Sequence, residues 1–115
     1  MGAILVADDN RGFAELLRVT LEEAGYEVLI ASTGPAAVAC VEQNDVDAAV
    51  LDILMPGMSG DAVAERLQLI VPGLPVLLMT GSKGGFAAGS GLPFIRKPFA
   101  QEELVEAVRR LLPAA

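Results

Sequence analysis

Five polar residues of this sequence each follow a short apolar run. Asp8 and Asp9 follow the first run, Asp52 the third, Thr80 the fourth and Lys97 the fifth. If the runs are buried parallel strands, these side chains meet at the carboxyl edge of one sheet, where open α/β proteins build their sites. Carboxylates are the ligands that Mg²⁺ prefers, a lysine ammonium suits a phosphoryl oxygen, and a threonine offers a hydroxyl. The set therefore predicts phosphoryl transfer assisted by a divalent cation.

The elements that must position these residues alternate between apolar runs and helical patterns along the whole chain. Such alternation predicts β-α units and a parallel sheet, in one α/β domain that spans residues 1–115. The predicted strands are Ala3 to Ala7, Glu27 to Ala31, Ala48 to Asp52, Pro75 to Met79, and Pro93 to Arg96.

Three helices are predicted between the first four strands. The first ends before Gly25, and the second runs from about Thr33 to about Gln43. The third begins after Ser59, which is a good capping residue, and ends before Pro72. The residues expected to face the core are Phe13, Leu16, Leu17, Thr20, Leu21 and Ala24 in the first helix, Ala37 and Val41 in the second, and Val63, Leu67 and Ile70 in the third.

A last helix is predicted from Gln101 to Leu112, after a cap position, Ala100, that lacks any capping oxygen. Its core-facing residues are expected to be Leu104, Val105, Val108 and Leu111.

The segment 81–91 lies where the alternation would place one more helix, but it is a poor helix former. It contains five glycines, and each costs up to about 1 kcal/mol relative to alanine inside a helix. We therefore expect this fourth helix of the alternation to be shortened or missing, and the segment to be a mostly irregular, mobile crossover.

Composition excludes several classes of function. A chain of 115 residues with 53% hydrophobic residues can bury one core without disulfides or structural metal. There is no histidine and one cysteine, Cys40, which excludes an internal disulfide, a zinc site and a histidine-dependent catalytic pair. A net charge of −7 opposes direct binding to nucleic acid or anionic membrane. We expect a cytoplasmic protein without a secretion signal or membrane span, in which Cys40 is a small buried hydrophobe.

Four motifs occur in an order that resembles the receiver domain of response regulators, the phosphoacceptor of two-component signalling. They are ILVADDN at residues 4–10, LDILMPGMSG at residues 51–60, Thr80-Gly81, and Lys97-Pro98-Phe99. Each would be weak alone, but together they cover nearly the whole chain. The resemblance implies a doubly wound, flavodoxin-like (βα)5 fold whose five-stranded parallel sheet has the strand order 2-1-3-4-5.

The resemblance also implies roles at the acidic site. Asp52 would be the nucleophile that accepts a phosphoryl group from a phosphohistidine or from acetyl phosphate. Asp9 would bind Mg²⁺ directly, with Mn²⁺ as a substitute, and Asp8 would bind it mainly through water. Asp52 and the backbone carbonyl of Leu54 would complete the protein ligands.

A second group of residues would bind the phosphoryl group and respond to it. Lys97 would contact the phosphoryl group, together with the hydroxyl of Thr80 and the backbone N–H groups of Leu54 and Gly81. Phe94 would turn inward as Thr80 moves toward the phosphate. The family resemblance thus implies a signalling switch with self-catalysed phosphoryl transfer and slow autodephosphorylation, and not a metabolic enzyme.

The expected partner is a sensor histidine kinase or a phosphotransfer domain. We expect this protein to be a monomer that makes no direct contact with nucleic acid or membrane. The interval from Thr80 to Lys97 is roughly five residues shorter than is usual in the family, which exceeds one helical turn. This short crossover resembles receivers at the C-terminus of hybrid sensor kinases. Fusion to such a kinase and a stand-alone protein both remain open. The resemblance further implies a cis peptide bond between Lys97 and Pro98.

Other interpretations of the same residues remain. The chain could be an interaction module that acts without phosphorylation, and Asp8 and Asp9 could merely cap the first helix, with Lys97 a solvated lysine at a strand end. A flavodoxin-like cofactor binder is disfavoured because the acidic pair would repel a phosphate after the first strand. A haloacid-dehalogenase-like phosphatase would need a second aspartate where Leu54 stands.

Overall fold

Residues 3–81 and 91–112 are described in a computed structural model, and they form a five-stranded sheet with helices on both faces. The strands are β1 (Ala3–Ala7), β2 (Val28–Ala31), β3 (Val46–Asp52), β4 (Val76–Thr80) and β5 (Phe94–Arg96). All neighbouring strands are parallel, in the order β2-β1-β3-β4-β5. The α/β class predicted from the sequence and the strand order implied by the family resemblance are both confirmed.

Within the described ranges the helices are α1 (Arg11–Glu23), α2 (Gly34–Gln43), α3 (Gly60–Ile70) and α4 (Gln101–Leu111). The shortened or missing helix predicted between the fourth and fifth strands would fall in residues 82–90, which lie outside the described residues. None of the helices described here is long and apolar enough to cross a membrane.

Two hydrophobic clusters show that the sheet is covered on both faces. Side chains of β1 alternate between them, because successive residues of a strand point to opposite faces. Leu5 and Ala7 pack in the cluster that includes α2 and α3, whereas Ile4 and Val6 pack in the cluster that includes α1 and α4. This is the doubly wound arrangement that the family resemblance implied.

Three residues predicted to face the core do not. Leu16 is 47% exposed and Ile70 36% exposed, and Ala24 is exposed at the C-cap of α1. The face of α1 that is buried includes Leu17 and Leu21, and Leu16 lies at its border. Fewer residues of α1 are therefore buried than the apolar periodicity of its sequence predicted. Ile70 is the last residue of α3 and lies one turn beyond Leu67, the last buried residue of that helix.

Capping explains the start of two helices and not of a third. The Asn10 side chain accepts a hydrogen bond from the N–H of Phe13 at 3.0 Å, and the Thr33 hydroxyl accepts one from the N–H of Ala36 at 3.1 Å. Ser59 occupies the cap position of α3 but makes no side-chain hydrogen bond to the helix. The expectation that the Ser59 hydroxyl caps α3 is therefore wrong.

Gly60 anchors the start of α3 directly against the end of β3. Its N–H donates a hydrogen bond to the carbonyl oxygen of Ile53 at 2.8 Å. A Cβ atom at this position would lie 2.4 Å from the backbone oxygen of Asp52, so only glycine permits the approach. The backbone after Asp52 is thereby held between a strand end and a helix start.

Candidate functional site

Strand register brings the acidic residues together. Ala7 of β1 pairs with Leu51 of β3, so the next residue of each chain segment, Asp8 and Asp52, lies at the same carboxyl edge. One carboxylate oxygen from each of Asp8, Asp9 and Asp52 lies within 4.8 Å of the other two. The structure therefore unites the three carboxylates that the sequence predicted at this edge.

Lys97 reaches the same cluster from the end of β5. Its Nζ lies 3.0 Å from Oδ2 of Asp8 and 3.4 Å from Oδ2 of Asp52, and its side chain is 27% exposed. Its backbone N–H donates to the carbonyl oxygen of Thr80 at 2.7 Å, which fixes Lys97 beside the end of β4. The Lys97-Pro98 peptide bond is cis, as expected. Lys97 is thus an ion-paired residue of the cluster and not a solvated lysine.

The two adjacent aspartates have different environments. Asp8 is buried, and its Oδ1 accepts a hydrogen bond from the N–H of Asn10 at 2.9 Å while its Oδ2 meets Lys97. Asp9 is exposed. The side chain that caps α1 belongs to Asn10, so the interpretation of the acidic pair as mere helix caps is wrong. Asp9 is the member of the pair that a ligand from solvent can reach directly.

The surroundings of Asp52 raise the pKa of its carboxyl group. The largest cause is burial, which disfavours the charged form, and the negative charge of Asp8 adds to it. The N–H of Leu54, which donates to Oδ1 of Asp52 at 3.3 Å, and the ammonium of Lys97 lower the pKa and offset part of this effect. Asp52 is therefore a partly desolvated carboxylate whose pKa is shifted in opposite directions by the negative charge of Asp8 and the positive charge of Lys97.

The donor set fits a hard divalent cation such as Mg²⁺. Three carboxylates converge, and oxygen atoms are the ligands that such cations take. A depression of about 330 Å³ lies beside the cluster, so a cation with its waters could approach Asp9 from solvent. The residues that line it are Asp9, Ile53, Leu54, Met55, Pro56 and Ser59.

The other predicted site residues surround this cluster. Thr80 is buried at the end of β4, and its hydroxyl donates to the carbonyl oxygen of Gly81 at 3.3 Å. The Leu54 side chain is 73% exposed beside Asp52, and that of Phe94 is 40% exposed on β5. Thr80 and Leu54 are therefore next to the cluster, whereas Phe94 faces outward.

One contact of the site was not predicted from the sequence. The Nζ of Lys97 lies 4.5 Å from the centroid of the Phe13 ring, which was expected to be simple core. The Phe13 ring also meets Phe99 edge to face, with centroids 5.8 Å apart and an interplanar angle of 64°. The sequence indicates this contact only weakly. Phe13 lies in the first helical turn after the acidic pair, and Phe99 lies two residues after Lys97.

Comparison with known proteins gives a consistent result. Residues 4–109 match the family described as "Response regulator receiver domain". The "Probable transcriptional regulatory protein TcrX" of Mycobacterium tuberculosis is 37% identical over 115 residues, covering 95% of this chain and 49% of that protein. "Response regulator MprA" of Mycobacterium sp. (strain KMS) is 38% identical over 114 residues, covering 95% of this chain and 50% of that protein. The chain spans about half the length of these relatives, and fusion to a hybrid kinase stays a prediction.

Solved structures agree in fold. A response regulator receiver protein from Sinorhizobium medicae WSM419 superposes with a TM-score of 0.89 at 29% identity, covering 96% of this chain and 93% of that one. A response regulator receiver domain protein from Clostridium thermocellum superposes with a TM-score of 0.87 at 27% identity, covering 96% and 94% of the two chains. With a family match that covers most of its length, this chain belongs to the receiver domain family of response regulators.

Proposed function

We propose that this receiver domain accepts a phosphoryl group on Asp52 in a Mg²⁺-dependent reaction. The observation that carries the proposal is the convergence of Asp52 with Asp8, Asp9 and Lys97 at one sheet edge. A nucleophilic carboxylate, further acidic ligands and one ammonium are the groups that phosphoryl transfer to an aspartate requires.

In the proposed reaction a carboxylate oxygen of Asp52 forms a bond to phosphorus while the phosphorus–nitrogen bond of a phosphohistidine breaks and the imidazole leaves. Acetyl phosphate would react in the same way, with acetate as the leaving group. Lys97 would move from its ion pairs onto an oxygen of the phosphoryl group, since it already lies 3.4 Å from Asp52. The backbone N–H groups of Leu54 and Gly81 and the Thr80 hydroxyl would donate to the remaining oxygens.

Asp8, Asp9, Asp52 and the backbone carbonyl of Leu54 would hold Mg²⁺, or Mn²⁺ in its place. When bound, the cation neutralises the crowded carboxylates and the negative charge of the incoming phosphoryl group. Asp9, which is exposed, would contribute directly, whereas Asp8 is already bonded to Asn10 and Lys97 and would contribute mainly through water.

The proposed partner is a sensor histidine kinase or a phosphotransfer domain, either as a separate protein or fused to this domain in a longer chain. Because such donors and acetyl phosphate occur in the cytoplasm, we place the function there. We also expect the domain to be a monomer before phosphorylation. Self-catalysed phosphoryl transfer and slow autodephosphorylation are part of the proposal.

The test is mass spectrometry of the intact protein after incubation with acetyl phosphate and Mg²⁺. The protein without substitutions should gain the mass of one phosphoryl group. This gain should be absent when a chelator removes Mg²⁺, and absent in Asp52→Asn. Asp45→Asn is the matched control, because Asp45 is an exposed aspartate just before β3, at the opposite end of that strand. Labelling of Asp52→Asn would show that another residue is the acceptor.

The same experiment separates this function from the alternative of an interaction module that acts without phosphorylation. An unmodified protein that takes up no phosphoryl group, from acetyl phosphate or from a phosphorylated kinase domain, would favour the alternative.

A further inference from the structure

The ammonium group of Lys97 lies over the aromatic ring of Phe13. Two carboxylates attract this ammonium, as in any ion-pair cluster, but its third neighbour is the Phe13 ring, whose centroid is 4.5 Å from Nζ. A cation within about 6 Å of a ring centroid is attracted by the negative face of the π system. The ring is therefore an uncharged partner for the charge of Lys97.

The Phe13 ring is itself held in place from several sides. The N–H of Phe13 donates to the capping side chain of Asn10 at 3.0 Å, which fixes its backbone in the first turn of α1. The ring is half-buried against the hydrophobic cluster between the sheet, α1 and α4. Its edge-to-face contact with Phe99 ties it to the segment that follows Lys97. The ring is thus a rigid surface, whereas the lysine stem has four rotatable bonds.

We propose that Phe13 is a positioning residue that holds the Lys97 ammonium over the acidic site through a cation–π contact. The inference deepens the proposed function and rests on it, because the group so positioned is the one assigned to the phosphoryl group. When Mg²⁺ and a phosphoryl group engage the carboxylates, the ion pairs of Lys97 with Asp8 and Asp52 weaken. The ring face would stay beside the ammonium as it moves from the carboxylates to a phosphoryl oxygen, and would keep Lys97 from swinging into solvent.

The first test observes the contact in the absence of Mg²⁺ and phosphodonor. Protons that lie over an aromatic face resonate upfield, so the ε-methylene protons of Lys97 should be shifted upfield in the unmodified protein. Lys97→Arg assigns the signal, because the sequence has only one other lysine, Lys83. In Phe13→Leu the signal should return toward that of a free lysine, and in Phe13→Tyr it should stay shifted because the ring face is kept.

The second test measures the rate of phosphoryl transfer from acetyl phosphate at saturating Mg²⁺. Phe13→Leu should lower the rate roughly two- to fivefold, the factor that corresponds to a partly exposed cation–π contact, whereas Phe13→Tyr should restore it. Tyr26→Leu is the matched control, because Tyr26 is a partly buried aromatic residue of the same cluster that precedes β2, far from Lys97. This control should lower the melting temperature without changing the rate or the Lys97 signal.

Each outcome decides the proposal. An unchanged Lys97 signal in Phe13→Leu overturns it, and so does a loss of rate no larger than that of Tyr26→Leu. If the unmodified protein takes up no phosphoryl group, the proposed function fails, and the Lys97 signal in Phe13→Leu and Phe13→Tyr alone supports or refutes the positioning by Phe13.

Discussion

Lys97 and a divalent cation would compete for the same carboxylates. Its ammonium is within 3.4 Å of both Asp8 and Asp52, which are candidate metal ligands. A positive charge at this distance repels a bound cation and must move aside when one enters. The affinity of the site for Mg²⁺ should therefore depend on a residue that is not a ligand.

Lys97→Met is expected to bind Mg²⁺ roughly 1.5- to fivefold more tightly, since ion pairs of partly exposed groups contribute about 0.2–1 kcal/mol. Isothermal titration calorimetry measures the affinity. The control is Arg96→Met, which removes an exposed positive charge one residue earlier and should change the affinity less. Equal effects of the two substitutions would mean that only the net charge matters.

The raised pKa of Asp52 predicts how stability depends on pH. Because burial and Asp8 raise the pKa of the folded carboxyl, the folded state holds the Asp52 proton more tightly than the unfolded state does. Asp52 therefore contributes to the free energy of unfolding below the pKa that it has in the unfolded state, about 3.9. This contribution is lost as the pH rises through the pKa that Asp52 has in the folded state. In a chelating buffer, ionised Asp52 therefore weakens the fold near neutral pH.

Asp52→Asn cannot ionise, so it should gain stability over the unmodified protein as the pH rises from about 4 to about 7. Urea unfolding at several pH values, in the presence of a chelator, measures this difference. The Asp45→Asn control should show no such gain. A difference between Asp52→Asn and the unmodified protein that stays constant with pH would refute the pKa assignment.

At the scale of elements, α4 starts with only half of a capping arrangement. The side chain of Glu103 accepts a hydrogen bond from the N–H of Ala100 at 3.1 Å, but Ala100 has no side-chain oxygen to return one. Ala100→Ser should complete the pair and stabilise the protein by roughly 1 kcal/mol. The melting temperature and urea midpoint report the gain.

Ser59→Ala is a useful comparison for that prediction. Ser59 holds a cap position without a side-chain hydrogen bond, so its removal should change stability by less than about 0.5 kcal/mol. If Ala100→Ser gives no stabilisation, or Ser59→Ala costs as much as a functioning cap, then hydrogen bonding at the cap does not set the stability of these helices.

The junction between β3 and α3 should tolerate no side chain at Gly60. A Cβ there would meet the Asp52 backbone oxygen at 2.4 Å, and such overpacking typically costs about 1–3 kcal/mol. Gly60→Ala should therefore lower stability and, by moving the backbone at Asp52, slow phosphoryl transfer.

Gly12→Ala is the matched substitution. A Cβ at Gly12, in the first turn of α1, would meet only the Asn10 side chain at an ordinary 3.6 Å, so alanine should stabilise by up to about 1 kcal/mol. Urea unfolding of both variants compares the two. Similar stabilities would show that the close approach at Gly60 is relieved without cost.

The bounds of a strand were predicted more accurately where its apolar run is unbroken than where a charged residue interrupts it. β1 has the predicted ends, Ala3 and Ala7. β3 begins two residues earlier than predicted because exposed Asp47 interrupts the run, although Val46 beyond it is buried. The charge at position 47 points away from the core and leaves the strand intact.

Site residues that sit at strand ends were equally predictable. Asp8 and Asp52 meet through strand register, which follows from the parallel sheet. The contact between Phe13 and Lys97 was not predictable, because it depends on how α1 and the segment after β5 pack against each other across one face of the sheet. Helical periodicity reports that Phe13 faces inward but not which neighbour it meets.

At the scale of the whole molecule, the proposed switch must carry a change from Asp52 to the far edge of the sheet. Thr80 pairs with Arg96 in the β4-β5 register, so a movement of Thr80 toward a phosphoryl group on Asp52 would be transmitted to the strand that bears Phe94. Phe94 is 40% exposed and has room to become more buried. The glycine-rich segment 81–91 joins these two strands, and residues 82–90 of it lie outside the described residues. We hypothesise that phosphorylation of Asp52 orders this segment.

Beryllofluoride with Mg²⁺, a mimic of the phosphoryl group, should increase amide protection across residues 81–91 and decrease the solvent exposure of the Phe94 ring. Hydrogen exchange followed by mass spectrometry measures the first, and fluorine NMR of labelled phenylalanine measures the second. Asp52→Asn should show neither change. Unchanged protection of the segment in the unmodified protein would refute the switch.

The ion pair between Asp8 and Lys97 joins residues 89 positions apart. Closing a loop between such distant residues costs conformational entropy before the contact can contribute any stabilisation. Asp8 follows β1 and Lys97 follows β5, with β3 and β4 between them in the sheet, so the pair exists only after these strands have assembled. A chain in which β5 had not joined the sheet would present its aspartates without the lysine, and a phosphodonor that requires both would react only with chains that have finished folding.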